Sequence, residues 1–183
     1  MPLRVVRHAR PVRVRLEAVA LRSATVPEAG AIHRLITDHV QEGHLLRREL
    51  DEITARIDRF VVAVHRRRVL ACAELAPLSP AVAEVRSLVV SSDARGLGLG
   101  TRIVDELARR ASVAGFHKLC AFTHSPAYFV HMGFSIVPHV WLPEKITTDC
   151  HACQHFRHCG QYAVVRTLSR VRDAYVPLAA LHG

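Results

Sequence analysis

The chain has 183 residues, half of them hydrophobic, which is enough for one domain with a buried core. No apolar run approaches the roughly 20 residues of a membrane span, and the N-terminus lacks the apolar segment of a secretory signal, so we expect a soluble, cytoplasmic protein with no membrane attachment. The formal net charge of +9 suits nucleic acid, an acidic membrane or an anionic small molecule as a partner, and the odd cysteine count of 5 does not resemble a secreted disulfide framework.

The chain is expected to divide into a basic arm, one domain and a tail. Residues 1–17 are rich in arginine and contain two prolines. They predict a flexible arm, with an anion-binding arm or an added edge strand as alternatives. The domain is expected over residues 18–168, with a Cys/His-rich insertion at 142–160 before its last strand, and residues 169–183 form the tail.

Residues 18–76 predict a strand, two helices and a hairpin. Thr25 is a candidate N-cap for the first helix, which continues to Val40, and Gly43 interrupts the helical pattern. Apolar, β-branched runs on either side of residues 66–68 predict a hairpin, although the turn lacks the usual Asn-Gly. The predicted bounds are 18–24 for the first strand, 50–57 for the second helix, and 59–65 and 69–76 for the hairpin strands.

The next strand, over residues 84–90, carries two opposite charges in an otherwise apolar run. Strict alternation divides its side chains between two faces. The first face has Glu84, Arg86, Leu88 and Val90, and the second has Val85, Ser87 and Val89. Either the two charges pair within the structure or their face opens into a polar cleft, and the pattern leaves both open.

A glycine-rich loop follows this strand and leads into a helix. Glycines at 96, 98 and 100 allow close approach of the backbone to a ligand, and the helix start presents unpaired amides and a positive dipole end, so the loop predicts an anion site, most often for phosphate. A Rossmann loop does not fit because Thr101 stands where its third glycine is required, and a Walker loop does not fit because no lysine lies between 70 and 117. An ordinary glycine-rich turn is the alternative.

The rest of the chain predicts a strand, a short helix and two more strands. Alternating strands and helices followed by a strand-rich end favour an α+β class, an α/β sandwich. The predicted bounds are 115–122 for the fifth strand, 127–132 for the helix, 134–140 for the sixth strand and 161–168 for the last.

Cysteines and histidines cluster before the last strand. A C-x2-C pair with a third cysteine and nearby histidines can satisfy tetrahedral zinc, but a second pair of this spacing is missing and the histidine spacing matches no standard zinc finger. We therefore expect structural cysteines, reduced or partly paired, with zinc as the alternative. The cysteines are Cys150, Cys153 and Cys159, and the histidines are His151, His155 and His158.

Several motifs resemble those of a known family. The pattern Arg95-x-x-Gly98-x-Gly100 after a strand, with Tyr128-Phe-Val-His-Met-Gly-Phe134 downstream, resembles the GNAT acyl-CoA N-acyltransferases. Three further segments are similar to the stand-alone bacterial N-acetylglutamate synthases, which lack a kinase domain: Glu84-Val-Arg-Ser-Leu-Val-Val, Leu142-Pro-Glu-Lys-Ile and Asp149-Cys-x-x-Cys-x-x-Phe-x-x-Cys. The resemblance covers residues 18–168. It implies a mixed, mostly antiparallel sheet of about six or seven strands with a splayed strand pair, flanked by helices on both faces.

The resemblance also implies a reaction, the transfer of acetyl from acetyl-CoA to the α-amine of L-glutamate. Backbone groups of the strand that ends at Val90 would hold the pantetheine arm and the thioester, and amides of the glycine loop would hold the pyrophosphate. The implied cofactor residues are Leu88, Val89, Val90, Arg95, Gly96, Gly98, Gly100 and Thr101.

Such a transfer needs an oxyanion donor, a base and an acid. The backbone amide of Val89 or Val90 is the expected donor. Glu84 is the first candidate base and His124 the second. The family's usual tyrosine acid would fall one position after Tyr128, about 100° round a helix, so Tyr128 is a displaced candidate for the acid.

An acceptor with two carboxylates calls for guanidinium groups, which grip planar oxyanions in a forked geometry. Arg86 is the first candidate, followed by Lys145 and Arg48. Two alternatives remain, namely a GNAT enzyme for another small amine or a protein N-terminus, and a non-catalytic basic module that binds nucleic acid. A homodimer is compatible with the sequence.

Overall fold

The computed structural model describes residues 16–42, 45–153 and 156–168. The predicted arm, apart from its last two residues, and the predicted tail lie outside these ranges, as does His155. Within the described ranges, every helix falls short of the length or the hydropathy that crossing a bilayer requires.

The described residues form seven strands and five α-helices. The strands are β1 Ala20–Ser23, β2 Phe60–His65, β3 Arg68–Pro77, β4 Val82–Val90, β5 Lys118–Thr123, β6 Ser135–Val137 and β7 Tyr162–Thr167. The helices are α1 Ala29–Val40, α2 Leu50–Ala55, α3 Leu99–Val113, α4 Pro126–Val130 and α5 Pro143–Thr148. One sheet has the order β1-β2-β3-β4-β5-β7-β6, in which β4 and β5 are parallel and the other neighbours antiparallel. This mixed, mostly antiparallel sheet confirms the predicted α+β class.

Helices cover both faces of the sheet. On one face α3 packs through apolar side chains at helical spacing, all buried: Ile103, Val104, Leu107, Ala108 and Ala111. On the other face α1 and α2 pack on β2 and β3 through a second core that includes Ile32, Ile36, Ile53, Phe60 and Val62. A smaller cluster joins β4, β5 and β7 to Leu142, the residue before α5.

A β-bulge interrupts β4 at Ser87. The register between β3 and β4 shifts by one residue between Cys72 and Glu74 of β3, so β4 carries one more residue there than its partner. Ser87 has a φ of 51°, in the left-handed region that such an extra residue often adopts.

The bulge changes which side chains of β4 share a face. One inserted residue reverses the alternation beyond it. Leu88 and Val90 therefore pack with the core under α3, whereas Val89 packs with the core under α1. The prediction that Leu88 and Val90 share a face with Glu84 and Arg86 is therefore wrong. The residue that shares the face opposite α3 with these two charges is Val89.

The two parallel strands separate along their length. Residues 82–84 of β4 pair with residues 118–120 of β5, and beyond them β4 continues beside β3 and β5 beside β7. A gap therefore opens between the C-terminal ends of β4 and β5, which is the predicted splayed pair.

Two segments near the C-terminal end differ from prediction. The predicted strand over 134–140 keeps only Ser135–Val137, because Pro138 has no N–H to donate to a ladder, and His139–Trp141 form a 3-10 turn. The predicted insertion contains α5, which begins at Pro143, a residue suited to the first turn of a helix.

The predicted hairpin of β2 and β3 turns through two arginines with left-handed backbones. Arg66 and Arg67 have φ values of 47° and 68°, which cost residues other than glycine about 1–2 kcal/mol each.

We expect Arg67→Gly to raise the free energy of unfolding in urea by about 0.5–1 kcal/mol, because the relief of backbone strain is partly offset by the greater backbone entropy of glycine in the unfolded chain. Arg59→Gly, at an exposed arginine without positive φ, should instead destabilise. Equal changes at both positions would contradict this account.

Candidate active site

The gap between β4 and β5 opens into a cavity of about 1160 Å³. Its walls come from β4 and β5, the start of α3, the connection between α1 and α2, and α5 with the residues after it. The cavity brings together the predicted catalytic, cofactor-binding and acceptor-binding residues, except His124, and the three clustered cysteines. They are Arg48, Glu84, Arg86, Leu88, Val89, Val90, Arg95, Gly96, Gly98, Gly100, Thr101, Tyr128, Lys145, Cys150, Cys153 and Cys159.

The glycine loop forms the wall next to α3. Gly96 and Gly98 have φ values of 79° and 71°, and Gly98 is the residue immediately before α3. The side chain of Arg95 donates to both carboxylate oxygens of Glu42, at 2.7 and 2.8 Å, and to the carbonyl oxygen of Val90 at 3.3 Å. Because the first amides of α3 have no partner within the helix, this wall can hold an anion.

Tyr128 reaches the glycine loop from α4. Its hydroxyl hydrogen-bonds with Thr101 and lies so close to Gly100 that a Cβ there would clash with it. Position 100 therefore requires glycine because the Tyr128 hydroxyl approaches it closely, whereas positions 96 and 98 favour glycine because their φ is positive. Burial raises the pKa of Tyr128, and the hydrogen bond with Thr101 offsets only part of this. The hydroxyl predicted as a displaced acid is held against the loop.

Four charged side chains form a closed cluster on the face opposite α3, here called the charged cluster: Glu84, Arg86, Lys145 and Asp149. Arg86 donates from Nε to Glu84 at 2.6 Å, and from Nη2 to Asp149. Lys145 donates to both oxygens of Glu84 and to Asp149, each at 2.8 Å. Burial lowers the pKa of Arg86, but the neighbouring carboxylates, Glu84 first, more than offset this and raise it overall. Glu84 and Arg86 thus pair with each other and also line the cavity.

Arg48 lies in the connection between α1 and α2, and its guanidinium is engaged with protein groups. Its Nε donates to Glu52 at 2.9 Å, Nη1 to Ser87 Oγ at 3.1 Å, and Nη2 to Glu74 at 2.8 Å. Glu74 is completely buried, and among the described residues its Oε1 accepts no hydrogen bond. Arg48 therefore fixes this connection to β3 and to the bulge of β4.

The backbone of β4 presents one of the two predicted oxyanion donors to the gap. The amide of Ser91 donates to the carbonyl of Leu70 at 2.8 Å. Since hydrogen-bonded and non-bonded pairs alternate in an antiparallel ladder, Val89 and Cys72 form a bonded pair, and the amide of Val90 points away from β3. Of the two predicted donors, Val90 is therefore the one whose amide faces the gap, whereas the amide of Val89 points to β3.

The second candidate base is not a cavity residue. His124 is exposed, its ring lies against Gly160, and the described residues that line the cavity do not include it. His139 lines the cavity instead, where its Nε2 hydrogen-bonds to the carbonyl of Gln161 at 2.9 Å and its ring packs edge-on against Phe122. The residues on either side of His139, a proline and a valine, do not indicate that it lines the cavity.

Asp149 is another cavity residue that sequence patterns did not identify as a site residue. Its spacing from Lys145 is one helical turn, which would have indicated an ion pair if the helix had been predicted. The Cys/His-rich composition of this segment does not indicate a helix, so the sequence pattern does not predict the pair.

The cysteines after α5 line the cavity as free thiols. Cys153 and Cys159 are exposed, and burial raises the pKa of Cys150. In the part of the chain that the structure describes, no group of three or more His, Cys, Asp or Glu side chains is arranged to hold a metal ion. Burial also raises the pKa of Cys72 to about 12, as expected of a cysteine that packs as a small hydrophobic side chain.

Sequence comparison relates the chain to acetyltransferases. The model of the acetyltransferase (GNAT) family matches residues 29–134, more than half of the chain. An uncharacterized N-acetyltransferase of Chlorobaculum tepidum is 30% identical over 148 residues, which are 81% of this chain and 96% of that protein. An amino-acid acetyltransferase of Pectobacterium carotovorum is 32% identical over 130 residues, which are 70% of this chain and 30% of that protein.

The fold has a close match among solved structures. N-acetylglutamate synthase from Neisseria gonorrhoeae, complexed with coenzyme A and N-acetyl-glutamate, superposes with a TM-score of 0.75 at 25% identity. The match covers 83% of this chain and 35% of that one. The chain thus spans about a third of the length of this synthase and of the amino-acid acetyltransferase. With its family match, its splayed strand pair and its glycine loop, the chain belongs to the acetyltransferase (GNAT) family of acetyl-CoA-dependent N-acetyltransferases.

Proposed function

We propose that this protein transfers the acetyl group of acetyl-CoA to the α-amino group of L-glutamate, the first step of arginine biosynthesis. The observation that carries the proposal is the pair of cations, Arg86 and Lys145, that face the cavity beside the splayed strands. The amino-acid acetyltransferase relatives and the N-acetylglutamate synthase fold support the same choice of acceptor.

In this proposal acetyl-CoA lies along the gap between β4 and β5. Its pyrophosphate binds the amides of the glycine loop and the positive end of α3, a helix of 15 residues. Main-chain groups of Leu88 and Val90, which point away from β3, bind the pantetheine arm. The loop residues are Arg95, Gly96, Gly98, Gly100 and Thr101.

We expect Gly100→Ala to raise the KM for acetyl-CoA by about tenfold or more, because the added methyl displaces the Tyr128 hydroxyl and disturbs the loop. The double variant Gly100→Ala with Tyr128→Phe removes the clashing oxygen and should recover most of the loss, since the next ring atom lies 3.4 Å from the new Cβ. Steady-state kinetics measure both. Gly30→Ala, where a Cβ meets nothing within 4 Å, is the control. A double variant no better than the single one would contradict the contact.

The acceptor is proposed to bind with its carboxylates on Arg86 and Lys145. The planar guanidinium of Arg86 can grip one carboxylate through two hydrogen bonds, and the ammonium of Lys145 adds a compact charge with three donors. Arg48 contributes positive charge nearby, although its own hydrogen bonds go to Glu52, Ser87 and Glu74.

The chemistry is assigned to Glu84 and to the backbone at Val90. Glu84 takes a proton from the substrate ammonium, directly or through a water, so that the nitrogen lone pair can attack the thioester carbon. The Val90 amide donates to the oxyanion that develops. Collapse of this intermediate breaks the C–S bond and expels the thiolate of coenzyme A, which takes up the second proton of the nitrogen through water. Tyr128 is assigned to the cofactor wall rather than to proton donation, because its hydroxyl lies against Gly100 of the glycine loop.

A thiol-release assay with purified protein and acetyl-CoA tests the acceptor, with glutamate, glutamine and aspartate compared at equal concentration. We expect kcat/KM for glutamate to exceed that for glutamine by about 10–100-fold, because the neutral amide leaves a desolvated cation without its partner. Aspartate, one methylene shorter, should rank below glutamate. Activity on an unrelated amine, or none on glutamate, would remove the proposed acceptor while leaving the family assignment intact.

A further inference from the structure

In the charged cluster, each of the two cations proposed to bind the acceptor already contacts a carboxylate of the protein itself. Lys145 contacts Asp149 at 2.8 Å, and Arg86 contacts Asp149 through Nη2. Both cations also contact Glu84. The two positive and two negative groups cancel, so an incoming carboxylate must compete with these internal ion pairs for the two cations.

The two carboxylates are not equally displaceable. The Glu84 side chain is 4% exposed and lies on a central strand of the sheet, where it accepts three hydrogen bonds. The Asp149 side chain is 34% exposed and lies just after α5, a helix of six residues. Moving a buried carboxylate without its partners is costly, whereas Asp149 can exchange its partners for water at little cost.

We propose that Asp149 is a placeholder for the acceptor's carboxylate. It occupies Arg86 and Lys145 in the free enzyme and swings toward solvent when the acceptor binds, while Glu84 stays in place as the base. This inference rests on the proposed function and names the residue that sets acceptor affinity. An internal competitor raises the KM for an anionic acceptor and weakens retention of the acetylated product, which carries the same carboxylates.

The test is Asp149→Asn, which keeps the shape and removes the charge. We expect its KM for glutamate to fall about five- to tenfold, with the inhibition constant of N-acetylglutamate falling in parallel and kcat not rising. The KM for glutamine should change less than that for glutamate, because its side chain does not compete for the cations. Calorimetric titration of N-acetylglutamate into enzyme saturated with coenzyme A measures the same gain without turnover.

Asp105→Asn is the matched control, since Asp105 is an exposed ion-paired carboxylate outside the cavity. Asp149→Ser serves as a second charge-removing variant if the asparagine variant folds poorly. An unchanged or higher KM for glutamate in folded Asp149 variants would overturn the placeholder role and make Asp149 a support for the two cations. Absence of wild-type activity on glutamate would instead refute the proposed function, and this inference with it.

Discussion

Replacing Glu84 by glutamine is expected to lower kcat by about 10²–10⁴-fold, the usual contribution of a positioned general base. Glutamine fills the same space on β4 but cannot accept the ammonium proton, so only the small unprotonated fraction of the acceptor reacts. The KM for acetyl-CoA should change little, because Glu84 lies on the face opposite α3 and the loop proposed to hold the pyrophosphate is unaffected. Steady-state kinetics with each substrate varied in turn give both quantities.

The pH dependence separates a lost base from a distorted site. While the ammonium form of glutamate dominates, the kcat/KM of Glu84→Gln should rise about tenfold per pH unit, because the free amine supplied by solution replaces the missing base. Asp105→Asn, on the exposed side of α3, should behave as wild type. A variant that keeps wild-type kcat, or one whose activity does not recover with rising pH, would show that Glu84 serves the ion pairs alone.

The glycine loop could be predicted from sequence because its information is local. A φ near +70° or +80° at Gly96 and Gly98 is a property of single residues, and the loop sits between a strand and a helix that are each recognisable from their periodicity. The need for glycine at position 100 is different, since it arises from Tyr128 on another helix. The family motif indicated this glycine, but its physical reason required the tertiary structure.

The faces of β4 could not be predicted in the same way. The alternation rule assumes that successive residues of a strand point to opposite faces, and no residue around Ser87 indicates that the strand contains a bulge there. The bulge is held from outside the strand, because Arg48 reaches the Ser87 hydroxyl from the connection between α1 and α2. Sequence reasoning therefore found Glu84 and Arg86 but placed Leu88 and Val90 beside them, on the wrong face.

The bulge also lets one strand serve two parts of the proposed reaction. Before it, Glu84 and Arg86 point to the face where α5 brings Lys145. After it, the amide of Val90 points into the gap between the strands. An unbroken strand would turn the side chains of Leu88 and Val90 to the face of the proposed acceptor site, whereas with the extra residue both pack in the core under α3.

Replacing Arg48 by methionine is expected to lower the free energy of unfolding by about 3–5 kcal/mol, the range found when one partner of a buried ion pair is removed. The Arg48 side chain is 10% exposed, and Glu74 is completely buried with one oxygen already lacking a hydrogen bond. Methionine fills most of the arginine stem, but it leaves the Glu74 carboxylate buried without its closest cation. Urea unfolding followed by circular dichroism gives the change.

Two further variants show whether the unpaired, buried charge of Glu74 causes the loss of stability. Adding Glu74→Gln to Arg48→Met removes the buried charge and should recover about half of the loss or more, a coupling expected only of groups in contact. Arg56→Met breaks the neighbouring pair with Glu52, whose side chains are 38% and 35% exposed, and should cost about 1 kcal/mol or less. Similar losses for Arg48→Met and Arg56→Met, with no recovery in the double variant, would mean that Arg48 contributes only an exposed contact and that the bulge of β4 is stable without it.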